Sequence, residues 1–223
     1  MDELKNYDDK LIYIIIFNIA FALLINNPTT FIENNTILSI VLTVPSLYLP
    51  IYIINNCFSR EWKFEILYPK NESHHFAHGI FTKLEKNTLE YDPKLIDINL
   101  ILSYHGKPET EPKEDSLWYE IYKKHRYDPK IYQQNRQFLF CRDSMATVLI
   151  ITLIFIKIGQ YIGFNPFIIT IIIMGIFEFG IFRRLAKKNN KILALSVLQE
   201  ETDHLKRKEN SLYLNFNNLN YNA

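Results

Sequence analysis

Three histidines close together, His74, His75 and His78, are the nearest approach to a metal-binding constellation in the chain. Imidazole is a common zinc ligand, and on a helix His74 and His78 would share one face. A zinc ion held there would support hydrolysis of a lipid or peptide. The surrounding residues argue for something plainer. Asn71, Ser73 and Gly79 favour a loop, no Glu lies inside the cluster as in the two-His zinc protease motif, and no paired cysteines complete a structural site. A solvated or pH-sensitive loop without cofactor is therefore ranked above zinc, and His105 and His125 would add ligands only if the fold carried them to the same place.

A second group of polar residues interrupts apolar runs: Asn18, Lys157 and Glu178. An ionisable side chain in hydrocarbon is costly and faces a partner, a cavity or the headgroups. Glu178 with Asn18 would line a polar path in an oligomer. The plainer readings are that Glu178 reaches Arg183 or Arg184 and that Lys157 extends its amine to the outer surface. No Ser/His/Asp order, nucleophile elbow, phosphate-binding loop or dinucleotide fingerprint occurs, so a non-enzymatic chain ranks first.

The elements that must position these residues are set by long apolar blocks. Residues 11–25 extend towards Ile32, 36–54 contain no charge, 144–164 follow Asp143, and 166–182 follow Asn165. Each approaches the roughly 20 residues that cross a bilayer. The acidic start before Lys10 and the absence of a small-residue cleavage pattern at Asn26-Asn27-Pro28 speak against a signal peptide. Pro45 and Pro50 break hydrogen bonds in the second block and predict a hinge. Gly159 and Gly163, and Gly175 and Gly180, predict close helix packing.

The expected fold is a membrane all-α protein, four transmembrane helices with a small cytosolic α+β insert between helices two and three. Its parts are residues 1–56, 57–143, 144–183 and 184–223. Arg60, Lys63, Arg136, Arg142, Arg183, Arg184, Lys187, Lys188 and Lys191 then fall on one side, which predicts a multi-pass protein of a bacterial inner membrane with both termini cytoplasmic.

In the insert, alternation at Trp62, Phe64, Ile66 and Tyr68, and at Ile96, Ile98, Leu100 and Leu102, predicts strands. A hairpin from 79–84 and 88–91 would lie between them. Leu117, Trp118, Ile121 and Tyr122 fit a helical face. Asp128-Pro129 reads as a cap and first helical residue, starting a stalk through Arg136, Arg142 and Asp143 into the third span. Beyond Arg184, Leu185, Ile192, Leu195 and Leu198 suggest an amphipathic stretch able to pair with a copy of itself.

Charge is balanced, with 25 Lys and Arg against 24 Asp and Glu, which removes the basic footprint of a nucleic-acid partner. Cys57 and Cys141 are too few for a disulfide framework. The expected partners are the bilayer, further copies of the chain, and a cytosolic protein or small ligand. The leading functional expectation is a sensor or effector whose cytosolic domain acts on an oligomeric membrane bundle, with a pore or altered permeability as output. A membrane-anchored metal-dependent hydrolase using the His74–His78 loop and a scaffold recruiting a soluble partner are the alternatives.

Overall fold

A computed structural model describes residues 8–26, 53, 56–69, 77–86, 88, 89, 92, 94–163 and 165–220. Regular structure among them is helical: α1 (Asp8–Asn26), α2 (Arg60–Leu67), α3 (Ile80–Glu85), α4 (Ile98–His105), α5 (Glu111–His125), α6 (Pro129–Ile162) and α7 (Asn165–Asn220). No strand occurs among the described residues, which overturns the expected α+β insert. The chain forms two compact units, one of residues 1–71 and 136–188, the other of 72–135 and 189–223.

The reason for the misread strands is local. Ser59 caps α2 by accepting a hydrogen bond from Trp62 N at 3.1 Å, and Asp97 caps α4 by accepting from Leu100 N at 3.0 Å. Each cap satisfies a donor that a helix start leaves open. Alternating apolar residues fit a pleated strand, but α2 buries Lys63 and Leu67, four residues apart, and α4 buries Ile98 and Ile101, three apart. Residues 79–84, expected in a hairpin, instead enter α3, where Ile80, Phe81 and Leu84 are buried.

The expectation of four membrane spans is likewise corrected. Among the described residues, one helix is long and apolar enough to cross a bilayer: the 33-residue stretch Pro129–Tyr161 of α6. The apolar stretch of α1, Lys10–Ala22, is shorter. In α7 the apolar start is interrupted by Glu178 and runs into Arg183 and Arg184. The second expected span, with Pro45 and Pro50, lies outside the described residues except for Ile53.

In the first unit, Ile15, Ile19 and Ala22 place one face of α1 against Ile151 and Phe155 of α6 and Ile171 of α7. Gly163, at φ 73°, ends the reach of α6 in a left-handed turn that suits glycine, so it terminates the helix on which Gly159 lies. At Gly175 of α7, even a methyl group would collide with the side chain of Thr152 on α6, so glycine sets how closely these helices approach. Gly180 faces open space.

In the second unit, Leu193, Ala194, Val197, Leu198 and Leu205 of α7 are buried, together with Ile80, Phe81 and Leu84 of α3, Ile101 of α4, and Trp118 and Ile121 of α5. The indole of Trp118 donates to Ala194 O at 3.3 Å. The stripe expected at Leu185, Ile192, Leu195 and Leu198 is thus displaced, since Leu185 and Ile192 are exposed. The face that is buried includes Asn190, Glu201 and Thr202, whose polarity hides it from a count of apolar residues.

Candidate functional site

Three helices of the second unit converge on one carboxylate. Glu201 of α7 is fully buried. Its Oε1 lies 2.8 Å from His105 Nε2 of α4, and its Oε2 lies 2.5 Å from His125 Nε2 of α5. Lys124 Nζ donates to Oε1 at 3.0 Å and to Oε2 at 2.8 Å. A buried charge is tolerable only when paired and hydrogen-bonded, and here both oxygens are engaged. Burial pushes the carboxyl upwards, but hydrogen bonds from Lys124, His125 and His105 overcome it and bring its pKa down to about 2.

The hub extends outward. The second ring nitrogen of His125, Nδ1, lies 3.0 Å from Asp128 Oδ2, and Lys124 Nζ reaches His204 Nδ1 at 3.1 Å. An ammonium only donates, so His204 accepts there and its ring is neutral at Nδ1. Burial first, and the Lys124 charge second, hold the His204 pKa below the ordinary imidazole value. Beside the hub, a cavity of about 500 Å³ is lined by His125, Asp128, Glu200, His204, Arg207, Lys208 and Ser211. Arg207 Nη2 donates to Glu200 at 2.9 Å, and Lys208 Nζ donates to the Tyr104 hydroxyl at 2.7 Å. The arrangement presents cations and imidazoles at an open wall, suited to recognising a polar ligand. A nucleophile paired with a general base is not formed by these lining residues.

The expected histidine site is only partly within view. His74 and His75 lie outside the described residues. His78 sits with Nδ1 2.7 Å from Asp115 Oδ2 and Nε2 3.1 Å from Glu111 Oε2. The hydrogen bond to Asp115 is the main cause of a pKa above the ordinary imidazole value, opposed by partial burial. Both ring nitrogens of His78 thus face carboxylates. Among the described residues, no group of three or more His, Cys, Asp or Glu side chains is placed to hold a metal ion.

In the first unit, Asn18 Nδ2 donates to Glu178 Oε2 at 3.0 Å as well as to Ile14 O at 3.0 Å, so the two polar residues singled out from the apolar runs are brought together. Lys157 is exposed. Of the stalk residues, Arg142 and Asp143 are buried beside Lys63: Asp143 Oδ1 accepts from Lys63 Nζ at 3.3 Å and from Arg142 Nε and Nη2 at 3.0 and 2.8 Å. The Arg142 guanidinium also lies 5.6 Å from the centre of the Phe64 ring. Arg136 is half-buried, and Asp128 O accepts from Tyr132 N at 2.8 Å at the start of α6 after Pro129.

From the sequence, His105 and His125 stand out only as possible metal ligands, and Lys124 and Glu201 do not stand out. A signal was present, since Glu201 is an acid four residues after Val197 on a helix whose neighbours at that spacing are apolar. The chain matches no known protein-family model, no curated protein and no solved structure.

Proposed function

We propose that this chain is a non-enzymatic membrane-associated sensor or effector, with its first unit in lipid and its second unit receiving a cytosolic ligand or partner. One observation carries the reading: around its apolar core the first unit also exposes a set of large apolar side chains. Ile173 and Phe177 of α7 are 64% and 68% exposed, and Ile169, Ile176, Tyr13, Phe17, Leu153 and Tyr161 are also exposed. Inside the same unit lie Asn18, Lys63, Arg142, Asp143 and Thr147. Exposed apolar side chains in such number are unfavourable in water and favour a lipid or protein contact. The apolar stretch Pro129–Tyr161 supports the lipid alternative.

The second unit exposes fewer large apolar side chains, and its cavity beside Glu201 is the place we propose for ligand or partner. Helices α6 and α7 belong to both units, so a change at the second has a covalent route to the first. Arg183, Arg184, Lys187 and Lys188 follow the apolar start of α7, which favours the cytosolic side for the second unit. The output we propose is altered bilayer permeability by several copies of the chain. The polar pair Asn18–Glu178, within an otherwise apolar unit, supports it.

Flotation of purified protein mixed with phospholipid vesicles, washed at alkaline pH, tests the membrane part. The protein is expected to float with the vesicles, and protein left at the bottom of the gradient counts against the reading. Dye-loaded vesicles carrying the protein are expected to leak faster than protein-free ones, and equal leakage removes the permeability output.

A further inference from the structure

The exposed face of α7 changes character along its length. Ile169, Ile173, Ile176, Phe177 and Ile181 are exposed, and Arg184, Leu185 and Lys188 continue the exposed side. Steps of three and four residues keep these positions on one face. At 1.5 Å per residue, the apolar stretch covers about 18 Å and the part from Ile181 to Lys188 about 10 Å. The apolar stretch fits within a hydrocarbon core about 30 Å thick, and the part from Ile181 to Lys188 is long enough to cross the headgroup region, which adds about 5–8 Å on each side.

Helix α2 packs at the level of this change. Arg183 Nε donates to Leu67 O at 3.3 Å, and Lys187 Nζ stands 5.5 Å from the centre of the Tyr68 ring. The same helix contributes Trp62, half-buried and stacked on Phe58 at 3.9 Å. Trp and Tyr favour the headgroup level, where an apolar ring and a polar edge are both satisfied. No acidic residue occurs on α7 between Phe179 and Lys191; on α2 Glu61 and Glu65 are exposed, and Asp143 of α6 is occupied by Lys63 and Arg142.

We propose that Arg184 and Lys188, the exposed neighbours on α7 of the Arg183 and Lys187 that contact Leu67 and Tyr68 at the end of α2, form a contact site for the phosphate headgroups of anionic phospholipid. The proposal rests on the first unit being embedded in lipid and adds the class of lipid it selects. Charge complementarity supplies the selectivity, because a cation near an anionic membrane surface is favoured over the same cation at a zwitterionic one. The neighbouring aromatic rings hold the helices at the depth where those headgroups lie.

The test uses full-length protein reconstituted in phosphatidylcholine vesicles with a minor fraction of phosphatidylglycerol, bromine being placed high on the acyl chains of one lipid or the other. Bromine quenches tryptophan only on contact, and the signal of Trp62 is the difference between the unaltered chain and Trp62→Phe. Brominated phosphatidylglycerol is expected to quench Trp62 about twofold or more beyond brominated phosphatidylcholine at equal mole fraction. The double variant Arg184→Gln, Lys188→Gln is expected to abolish that preference while quenching by both lipids persists and helical circular dichroism is unchanged. Equal quenching in the unaltered chain, or a preference that survives the double variant, overturns the headgroup site but leaves lipid embedding intact. No quenching by either lipid overturns the embedding itself.

Discussion

The two units of this chain differ in how many large apolar side chains they expose along the same long helix. In the second unit, Leu193, Val197, Leu198 and Leu205 of α7 are buried, and of the large apolar side chains Leu95, Tyr104, Tyr119, Tyr127 and Ile192 are exposed. In the first, Ile169, Ile173, Ile176 and Phe177 of the same helix are turned outward, while Asn18, Lys63, Arg142 and Asp143 are inside. On the membrane reading proposed above, this difference within one helix reflects its surroundings, since water drives apolar groups inward and lipid does not. Both units keep a charged cluster under cover. In the second a carboxylate gathers donors at Glu201, and in the first Asp143 gathers Lys63 and Arg142.

Removing the acceptor at the second hub should have the largest effect. Glu201→Ala leaves Lys124, His125 and His105 without their shared partner, and loss of about 3–5 kcal/mol is expected, as for other broken buried pairs. Chemical unfolding followed by Trp118 fluorescence checks this, because Trp118 packs against α7 at Ala194. Acid should act on the same hub. The Glu201 carboxyl is lowered in the folded chain from 4.5 to about 2, so its contribution is fully present above about 4.5 and is lost as pH falls towards 2. Trp118 unfolding monitored across that window should show the loss in the unaltered chain and a flatter profile in Glu201→Gln.

A smaller change is expected in the first unit from Gly175→Leu, about 1–3 kcal/mol, because the added side chain meets Thr152 and must push α6 and α7 apart. Gly180→Leu, where space is open, should leave the melting temperature in detergent unchanged or slightly raised. Equal destabilisation by both would show that Gly175 does not set the helix approach. The smallest effect belongs to His78. Its pKa is raised, chiefly by the bond to Asp115, so its contribution is fully present below about 6.5 and is lost as pH rises through the folded value. In His78→Asn, stability should lose that decline, which pH-dependent melting resolves.

Much of the helical content was legible in the sequence, and its limits have physical causes. The apolar run of α6, the face at Trp118 and Ile121, and the polar pair Asn18 and Glu178 stand out because each is an exception in its surroundings. Alternation at Trp62–Tyr68 and Ile96–Leu102 misled because apolar residues there satisfy two periods at once. The side chains of Ser59 and Asp97, which favour helix starts, decide between them. The buried face of α7 was missed because Asn190, Glu201 and Thr202 interrupt it. The hub itself joins His105, Lys124, His125 and Glu201 from three helices, and distances of that kind are set by packing, which local pattern does not carry. Of the four expected spans only the third lies on a helix long and apolar enough among the described residues, because the apolar stretch of α1 is short and that of α7 carries Glu178 and runs into Arg183 and Arg184.

The central claim is that the outward face of the first unit meets lipid and the outward face of the second meets water. Spin labels placed at Ile173 and, separately, at Glu120, in a chain with Cys57→Ser and Cys141→Ala, test it directly after reconstitution into vesicles. The label at position 173 should be relaxed strongly by oxygen and weakly by a water-soluble nickel chelate, and the label at position 120 the reverse. A label at position 173 as accessible to the nickel chelate as that at position 120 would contradict the account.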